Sequence, residues 1–114
     1  NNWERMKEAI TGYSFTDERT NKALAQVYAN KDYLLDPHGA VGYLGAKKYM
    51  STTPDATCVF LETAHPAKFK EVVEESIHNT IELPIQLQEA LSKPKKSIEI
   101  KGDYEELKKY LINT

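Results

Sequence analysis

The feature that most constrains the fold is an apolar run, residues 57–61, that is followed closely by a proline. The run reads Thr-Cys-Val-Phe-Leu without a break, which is the pattern of a strand covered on both faces. Pro66 suits the first position of a helix, because its missing N–H costs nothing there and its φ is already helical. Apolar residues then recur at helical spacing from Phe69 to Ile77. The sequence therefore predicts a buried strand followed by a helix from Pro66 to Ile77.

Length and composition suit a single globular domain. The chain has 114 residues, of which 40% are hydrophobic and 28% are charged, so it can form a modest core. Apart from an alternating stretch at residues 97–100, which is typical of a short edge strand, the remaining pattern is helical. We therefore expect an α/β protein in which residues 1–114 form one compact, mainly helical unit around one central buried strand.

Capping signals predict where the other helices begin. The predicted starts are Asn2, Thr16, Asp36, Leu83-Pro84 and Asp103. The helix that starts at Asp36 should run to about Met50 and has glycines at positions 39, 42 and 45. Each glycine costs about 1 kcal/mol relative to alanine, so the repeat needs a reason. Close packing of another backbone is the commoner reason, and close approach to a ligand is the alternative.

Charge and spacing exclude several classes of function. The formal net charge of −2 argues against a nucleic-acid surface, which needs a basic excess. The histidines and Cys58 lack the clustered spacing of metal ligands, and no serine lies in a Gly-x-Ser-x-Gly turn. No apolar run is long enough to span a bilayer. A lone cysteine agrees with a reducing compartment, so we expect a cytoplasmic protein.

Two polar side chains, Thr63 and His65, follow the predicted strand directly. Ligands of α/β proteins bind at the carboxyl ends of strands, beside helix N-termini that favour anions. A strand, a turn and a helix in which Thr63 or His65 is only a cap is the plainer interpretation. Spacing alone leaves both open.

Two longer motifs resemble a known family. Residues 63–69 (Thr-Ala-His-Pro-Ala-Lys-Phe) are similar to a motif near the carboxyl end of threonine synthases. Residues 33–42 (Tyr-Leu-Leu-Asp-Pro-His-Gly-Ala-Val-Gly) resemble the family's other signature, in the same order and at a fitting distance. Residues 2–5 (Asn-Trp-Glu-Arg) match a shorter segment of the same family.

The resemblance implies an activity for the parent enzyme. Threonine synthases are pyridoxal-phosphate enzymes of fold type II that convert O-phospho-L-homoserine and water to L-threonine and phosphate. Their Schiff-base lysine and phosphate-binding glycine loop lie upstream of the matched part, and this chain contains neither motif. The chain thus looks like a carboxyl-terminal fragment, inactive alone, without catalytic residues of its own, whose partner is the remainder of the enzyme.

Two alternatives remain open at this point. The chain could be a non-catalytic interaction or regulatory module derived from such an enzyme. It could also come from a related lyase such as a threonine dehydratase, although that family lacks the pair of motifs. The predicted strand at residues 57–61 lacks its sheet neighbours and therefore has open edges, so we also expect the chain to self-associate.

The resemblance assigns the cofactor contact to Thr63. In this fold type a serine or threonine faces the pyridine nitrogen of pyridoxal phosphate and tunes its strength as an electron sink. Glu62 lies where the family often has serine, and on a strand it should point away from the ring.

The remaining motif residues receive weaker assignments. His65 and Lys68 match the motif, but a structural hydrogen bond to a backbone carbonyl accounts for His65, and an ion pair or a solvated amine accounts for Lys68. Asp36 is expected to be a helix cap, whereas His38 could line the substrate side of the pocket or brace the turn. Gly39 departs from the family's usual threonine, which weakens any ligand contact there.

Overall fold

The computed structural model describes residues 2–113, and within that range the regular structure is entirely helical. The helices are α1 (Trp3–Ala9), α2 (Asp17–Lys31), α3 (Pro37–Met50), α4 (Lys70–Ile77), α5 (Ile85–Ser92) and α6 (Tyr104–Ile112). A 3₁₀ turn, Pro66–Phe69, leads directly into α4. The described chain forms two compact units, one ending at Leu83 and one starting at Pro84.

The predicted central buried strand, and with it the α/β class, is wrong. Residues 57–61 are extended but pair with no other strand of the described chain. One face of the segment, Cys58 and Phe60, is half-buried, whereas Val59 is 86% exposed and Leu61 is 75% exposed on the other. An extended segment becomes a strand only when a neighbour accepts and donates its backbone hydrogen bonds. The described chain provides no such neighbour, so the apolar run covers only one face.

The core of the first unit lies where α2 packs against α3 and α4. The buried face of α2 consists of Ala23, Leu24 and Val27, which meet Leu35 and Ala40 at the start of α3. Val73 of α4 is fully buried as well. This packing fixes the start of α3, which carries one of the two family-like motifs.

Helix starts follow the predicted caps in this unit. Asn2 accepts a hydrogen bond from the N–H of Arg5, and Thr16 accepts one from the N–H of Arg19. Asp36 caps α3, which runs from Pro37 to Met50 as expected. The helix predicted from Pro66 to Ile77 is present, but its first turn is 3₁₀.

The second unit contains α5 and α6. Asp103 caps α6, because its Oδ1 accepts the N–H groups of Glu105 and Glu106 at 3.0 and 3.2 Å. The edge strand expected at residues 97–100 is absent, since the segment is exposed and pairs with no described residue. Ile85 and Leu91, two large apolar residues of α5, are exposed. Two short helices bury too little surface to cover these side chains.

Candidate functional site

The two family-like motifs lie against each other in the first unit. Phe60 packs on Gly42, with its Cβ 3.4 Å from the position that a Cβ of residue 42 would take. Its ring also meets Tyr43 edge-on, with the ring centroids 5.9 Å apart. Near the start of α3, the His38 ring meets the Phe69 ring at a centroid distance of 5.1 Å. The structure thus joins the start of α3 to the segment that leads into α4.

Asp36 is the polar centre of this junction. Its side chain is fully buried. Its Oδ1 accepts hydrogen bonds from the backbone N–H of His38 at 2.8 Å and from the His38 ring Nδ1 at 2.9 Å. In return, the backbone N–H of Asp36 donates to Oε2 of Glu62 at 3.1 Å. Asp36 therefore caps α3, as expected, and also receives the incoming segment.

The Glu62 carboxyl group occupies space that only a glycine at position 39 leaves open. A Cβ placed on Gly39 would overlap both Oε1 and the carboxyl carbon of Glu62. Because a real Cβ cannot approach so closely, Gly39 and the inward position of Glu62 depend on each other. Within this buried pair, Oδ2 of Asp36 and Oε1 of Glu62 have no hydrogen-bond partner.

The surroundings shift the pKa values of the Asp36 and Glu62 carboxyl groups in opposite directions. Burial raises the pKa of Asp36, but hydrogen bonds, chiefly from the His38 backbone N–H, outweigh it and leave this pKa below its ordinary value. Burial raises the pKa of Glu62, and the neighbouring Asp36 carboxylate raises it further, against the lowering effect of the Asp36 N–H. Glu62 therefore keeps its proton to a higher pH than an exposed glutamate.

Thr63 lies next to this pair on the exposed side of the segment. Its hydroxyl makes no hydrogen bond within the described residues, whereas the carboxyl of Glu62 turns inward to α3. The two neighbours thus present their polar groups to different surroundings. Thr63 offers a free hydroxyl, which can donate one hydrogen bond and can also accept.

His65 caps the 3₁₀ turn. Its Nδ1 accepts a hydrogen bond from the backbone N–H of Ala67 at 3.1 Å, so the partner is an N–H group instead of the expected carbonyl. Lys68 is exposed, and among the described residues its amine has no carboxylate within ion-pair distance. His65 and Lys68 therefore follow Thr63 in a turn whose start is fixed by a side-chain cap.

A groove of about 540 Å³ runs beside the extended segment. It is lined by the glycine face of α3, with Gly42 and Gly45, and by Tyr13, Val59 and Leu61. Another cleft, of about 590 Å³, lies between the start of α2 and the end of α3 and includes no residue of the two motifs. The groove is therefore a concave surface that adjoins the motif region.

The comparisons with known proteins identify the family. Residues 39–111 match the family model described as the carboxyl-terminal region of threonine synthase. The chain belongs to this threonine synthase family. It is 33% identical over 122 residues to threonine synthase of Escherichia coli K12, which aligns with 99% of this chain and 28% of that protein. It is 35% identical over 127 residues to the Haemophilus influenzae enzyme, which aligns with 100% of this chain and 28% of that protein.

The fold comparison agrees. The crystal structure of threonine synthase from E. coli superposes with a TM-score of 0.81 at 32% identity, over 97% of this chain and 28% of that one. The chain therefore spans about 28% of the length of these threonine synthases. The resemblance inferred from the two motifs is confirmed.

Two departures from the threonine synthase pattern turn out to be one feature. Gly39 stands where the family usually has threonine, and Glu62 stands where it often has serine. In the fold the Glu62 carboxyl fills the space of a side chain at position 39. Sequence reasoning noted both residues but missed their contact, although the opposite changes in side-chain volume were a usable signal.

Other kinds of site find no support in residues 2–113. No group of three or more His, Cys, Asp or Glu side chains there could hold a metal ion. Within the same range, no helix has the length and apolar character needed to cross a membrane. The motif junction remains the site to be explained.

Proposed function

We propose that this chain forms one wall of the cofactor pocket of a threonine synthase, an enzyme that makes L-threonine and phosphate from O-phospho-L-homoserine and water. Membership of the family carries this proposal, and the exposed, unpaired hydroxyl of Thr63 at the motif junction supports it. We further propose a cytoplasmic location, which a single cysteine, Cys58, favours.

The donor chemistry of Thr63 fits the ring nitrogen of pyridoxal phosphate. When bound, this cofactor supplies an electron sink for carbanion chemistry. A hydroxyl can hydrogen-bond the nitrogen without adding negative charge, whereas a carboxylate would favour the protonated nitrogen. Glu62 directs its carboxyl group to the backbone of Asp36, so this acidic group is kept away from the ring nitrogen.

The other motif residues have supporting roles in this proposal. Asp36 and His65 shape the wall, since each caps the element that follows it. His38 and Lys68 are exposed near the same junction, and we assign them to the substrate side. A cationic amine suits a substrate that carries a phosphate group.

Thr63 gives the direct test of this pocket. In a complete threonine synthase that carries this chain as its carboxyl-terminal part, Thr63→Ala should weaken cofactor binding by about 1 kcal/mol, because one hydrogen bond is lost. Thr63→Asp should hold a proton on the ring nitrogen and change the ratio of threonine to side products. Both effects are measured by cofactor titration, by the absorption spectrum during turnover and by product analysis.

Thr80→Ala is the matched control, because Thr80 is also exposed but lies outside both motifs. It should leave cofactor affinity and products unchanged. If Thr63→Ala and Thr63→Asp both behave like Thr80→Ala, Thr63 does not face the ring and the assignment is wrong.

The remainder of a threonine synthase is the proposed partner of the extended segment. Residues 57–61 make no backbone hydrogen bond to other described residues, and Val59 and Leu61 expose apolar surface next to the groove. Because this chain aligns with only 28% of the E. coli enzyme, most of that enzyme lies outside the matched part. Pairing with a strand from that part would satisfy the free N–H and C=O groups.

A reconstitution experiment tests this partner. The 114-residue chain alone should release no phosphate from O-phospho-L-homoserine and should self-associate through its open edge. Adding the part of a threonine synthase that precedes the matched region should suppress self-association and produce activity. Val59→Lys should weaken both kinds of association. Ile98→Lys, at an apolar position of the second unit that is also exposed, should weaken neither. Phosphate release by the chain alone, or a monomer unaffected by the added part, would contradict the proposal.

A further inference from the structure

The Asp36–Glu62 pair contains two carboxyl oxygens that lack a partner. Oδ2 of Asp36 and Oε1 of Glu62 are both shielded from solvent, and neither accepts a hydrogen bond in the described chain. The other oxygen of each group is occupied, since Oδ1 of Asp36 accepts from His38 and Oε2 of Glu62 accepts from the Asp36 N–H. The two unpaired atoms thus belong to neighbouring acids that already share a hydrogen bond.

One proton held between the two carboxyl groups would give both of these oxygens a hydrogen-bond partner. A buried acceptor without a donor is costly, and two adjacent carboxylates cannot both ionise without strong repulsion. A proton on one group turns two acceptors into a donor and an acceptor. Two carboxyl groups this close then titrate as a pair.

We propose that Asp36 and Glu62 share one proton, and that Glu62 is thereby a positioning residue that holds the segment carrying Thr63 against the start of α3. The shared proton follows from the contacts of Asp36 and Glu62 alone. Its consequence for Thr63 in catalysis rests on the proposed function.

The surrounding groups place the proton on Glu62. Besides the two acids themselves, His38 is the titratable group that faces the pair within the described chain. Its ring Nδ1 lies 2.9 Å from Oδ1 of Asp36. Asp36 also sits at the N-terminus of α3, where the helix dipole favours an anion. Asp36 is therefore the carboxylate, and Glu62 donates its proton to Oδ2 of Asp36.

The attachment of the segment then depends on pH. Because the pKa of Glu62 is raised in the folded chain, the folded state binds more protons than the unfolded state above the ordinary glutamate pKa. Stability from Glu62 is therefore complete in acid and is lost as the pH rises through the raised value. Loss of the proton leaves two negative charges side by side, and the segment with Thr63 should detach from α3.

Carbon-13 NMR of the side-chain carboxyl groups in the 114-residue chain tests the pair between about pH 3 and pH 8, the range in which perturbed acids titrate. Glu62 should keep its proton to a higher pH than the exposed glutamates do, because burial and the neighbouring Asp36 carboxylate both raise its pKa. The backbone amide signal of Thr63 should follow the Glu62 titration. Since no cofactor is present, the result does not depend on the Thr63 assignment in the proposed function.

Three variants sharpen the test. In Glu62→Gln the amide can donate to Oδ2 of Asp36 and still accept from its N–H, so the Thr63 signal should stay at its low-pH position throughout. In Asp36→Asn the neighbouring charge is gone but the burial remains, so the Glu62 titration should move toward that of the exposed glutamates without reaching it. Glu75→Gln, an exposed site on α4, should change neither titration.

Several results would overturn the inference. One is a Glu62 titration that coincides with that of Glu75 in the unaltered chain. Another is a Thr63 signal in Glu62→Gln that matches the high-pH form at every pH. A Glu62 titration unmoved by Asp36→Asn would also exclude the shared proton.

Discussion

Replacing Gly39 with alanine is expected to lower the free energy of unfolding by about 2 kcal/mol, the cost typical of overpacking. The new Cβ would overlap Oε1 of Glu62, so the glutamate must leave its position. Its side chain is flexible and can turn outward, but the hydrogen bond from the Asp36 N–H is then lost. A buried donor without a partner accounts for much of the cost.

The effects of substitutions at positions 39 and 62 should be coupled. In a chain that already carries Gly39→Ala, Glu62→Ser should cost little more, because the glutamate has already left its position and the hydrogen bond from the Asp36 N–H is already lost. The two single changes should therefore be strongly non-additive, with a coupling of about 1–2 kcal/mol. The pair Gly39→Thr and Glu62→Ser, which returns both positions to the family's usual residues, should also fold.

Urea unfolding at one pH of the unaltered chain, Gly39→Ala, Glu62→Ser and the double variant measures this coupling. Gly45→Ala is the matched control, because Gly45 lies in the same helix as Gly39. A Cβ at position 45 would make only an ordinary contact, 3.6 Å from the Tyr13 ring. It should stabilise the chain by up to about 1 kcal/mol through helix propensity. Equal effects of alanine at positions 39 and 45, or additive effects at 39 and 62, would show that Glu62 does not occupy the space beside Gly39.

Replacing Asp36 with alanine is expected to cost about 3 kcal/mol, more than the loss of an ordinary N-cap. An exposed cap contributes about 1 kcal/mol, but this one is fully buried and hydrogen-bonds both the N–H and the ring of His38. Alanine would also leave Glu62 beside an empty space, without the acceptor for its proton. Losing one member of a buried polar network costs more than one hydrogen bond.

Asparagine at position 36 separates shape from charge. Its oxygen can still accept from the N–H of His38, so Asp36→Asn should cost less than about 1 kcal/mol relative to the parent. The comparison is made by urea unfolding near neutral pH. If asparagine and alanine are equally destabilising, the cap hydrogen bonds are not what stabilises the start of α3.

The alanine penalty should shrink in acid. Because the pKa of Asp36 is lowered in the folded chain, the unfolded state binds more protons between the lowered and the ordinary value. The stability from Asp36 is therefore present above the ordinary aspartate pKa and is lost as the pH falls through the lowered one. The stability that Glu62 contributes changes with pH in the opposite direction, since it is lost as the pH rises. The direction in which the free energy of unfolding changes with pH therefore tells the two acids apart.

Local chemistry determined most of the helix starts. Asn2, Thr16, Asp36 and Asp103 each accept a backbone N–H from a residue two or three positions later. Such contacts lie within one turn, so the sequence alone can specify them. The family was equally accessible, because residues 33–42 and 63–69 carry it in their order and spacing.

Only the tertiary structure decided what happens to residues 57–61. Their apolar pattern predicts burial on both faces, yet strand formation needs a hydrogen-bonding neighbour that is distant in sequence. Within the described chain, α3 covers the side of Phe60 and leaves Val59 exposed. The apolar pattern of a sequence indicates which residues prefer burial, but it does not indicate which part of the protein covers them.

The same division holds for the site. Sequence named Asp36, His38, Thr63, His65 and Lys68 as candidates, because each stands in a recognisable motif. It did not place Glu62 in the space above Gly39 or put its carboxyl beside Asp36, since those contacts join segments that are far apart along the chain. Capping depends on neighbours within a few residues, whereas a shared volume and a shared proton depend on packing that exists only after the chain has folded.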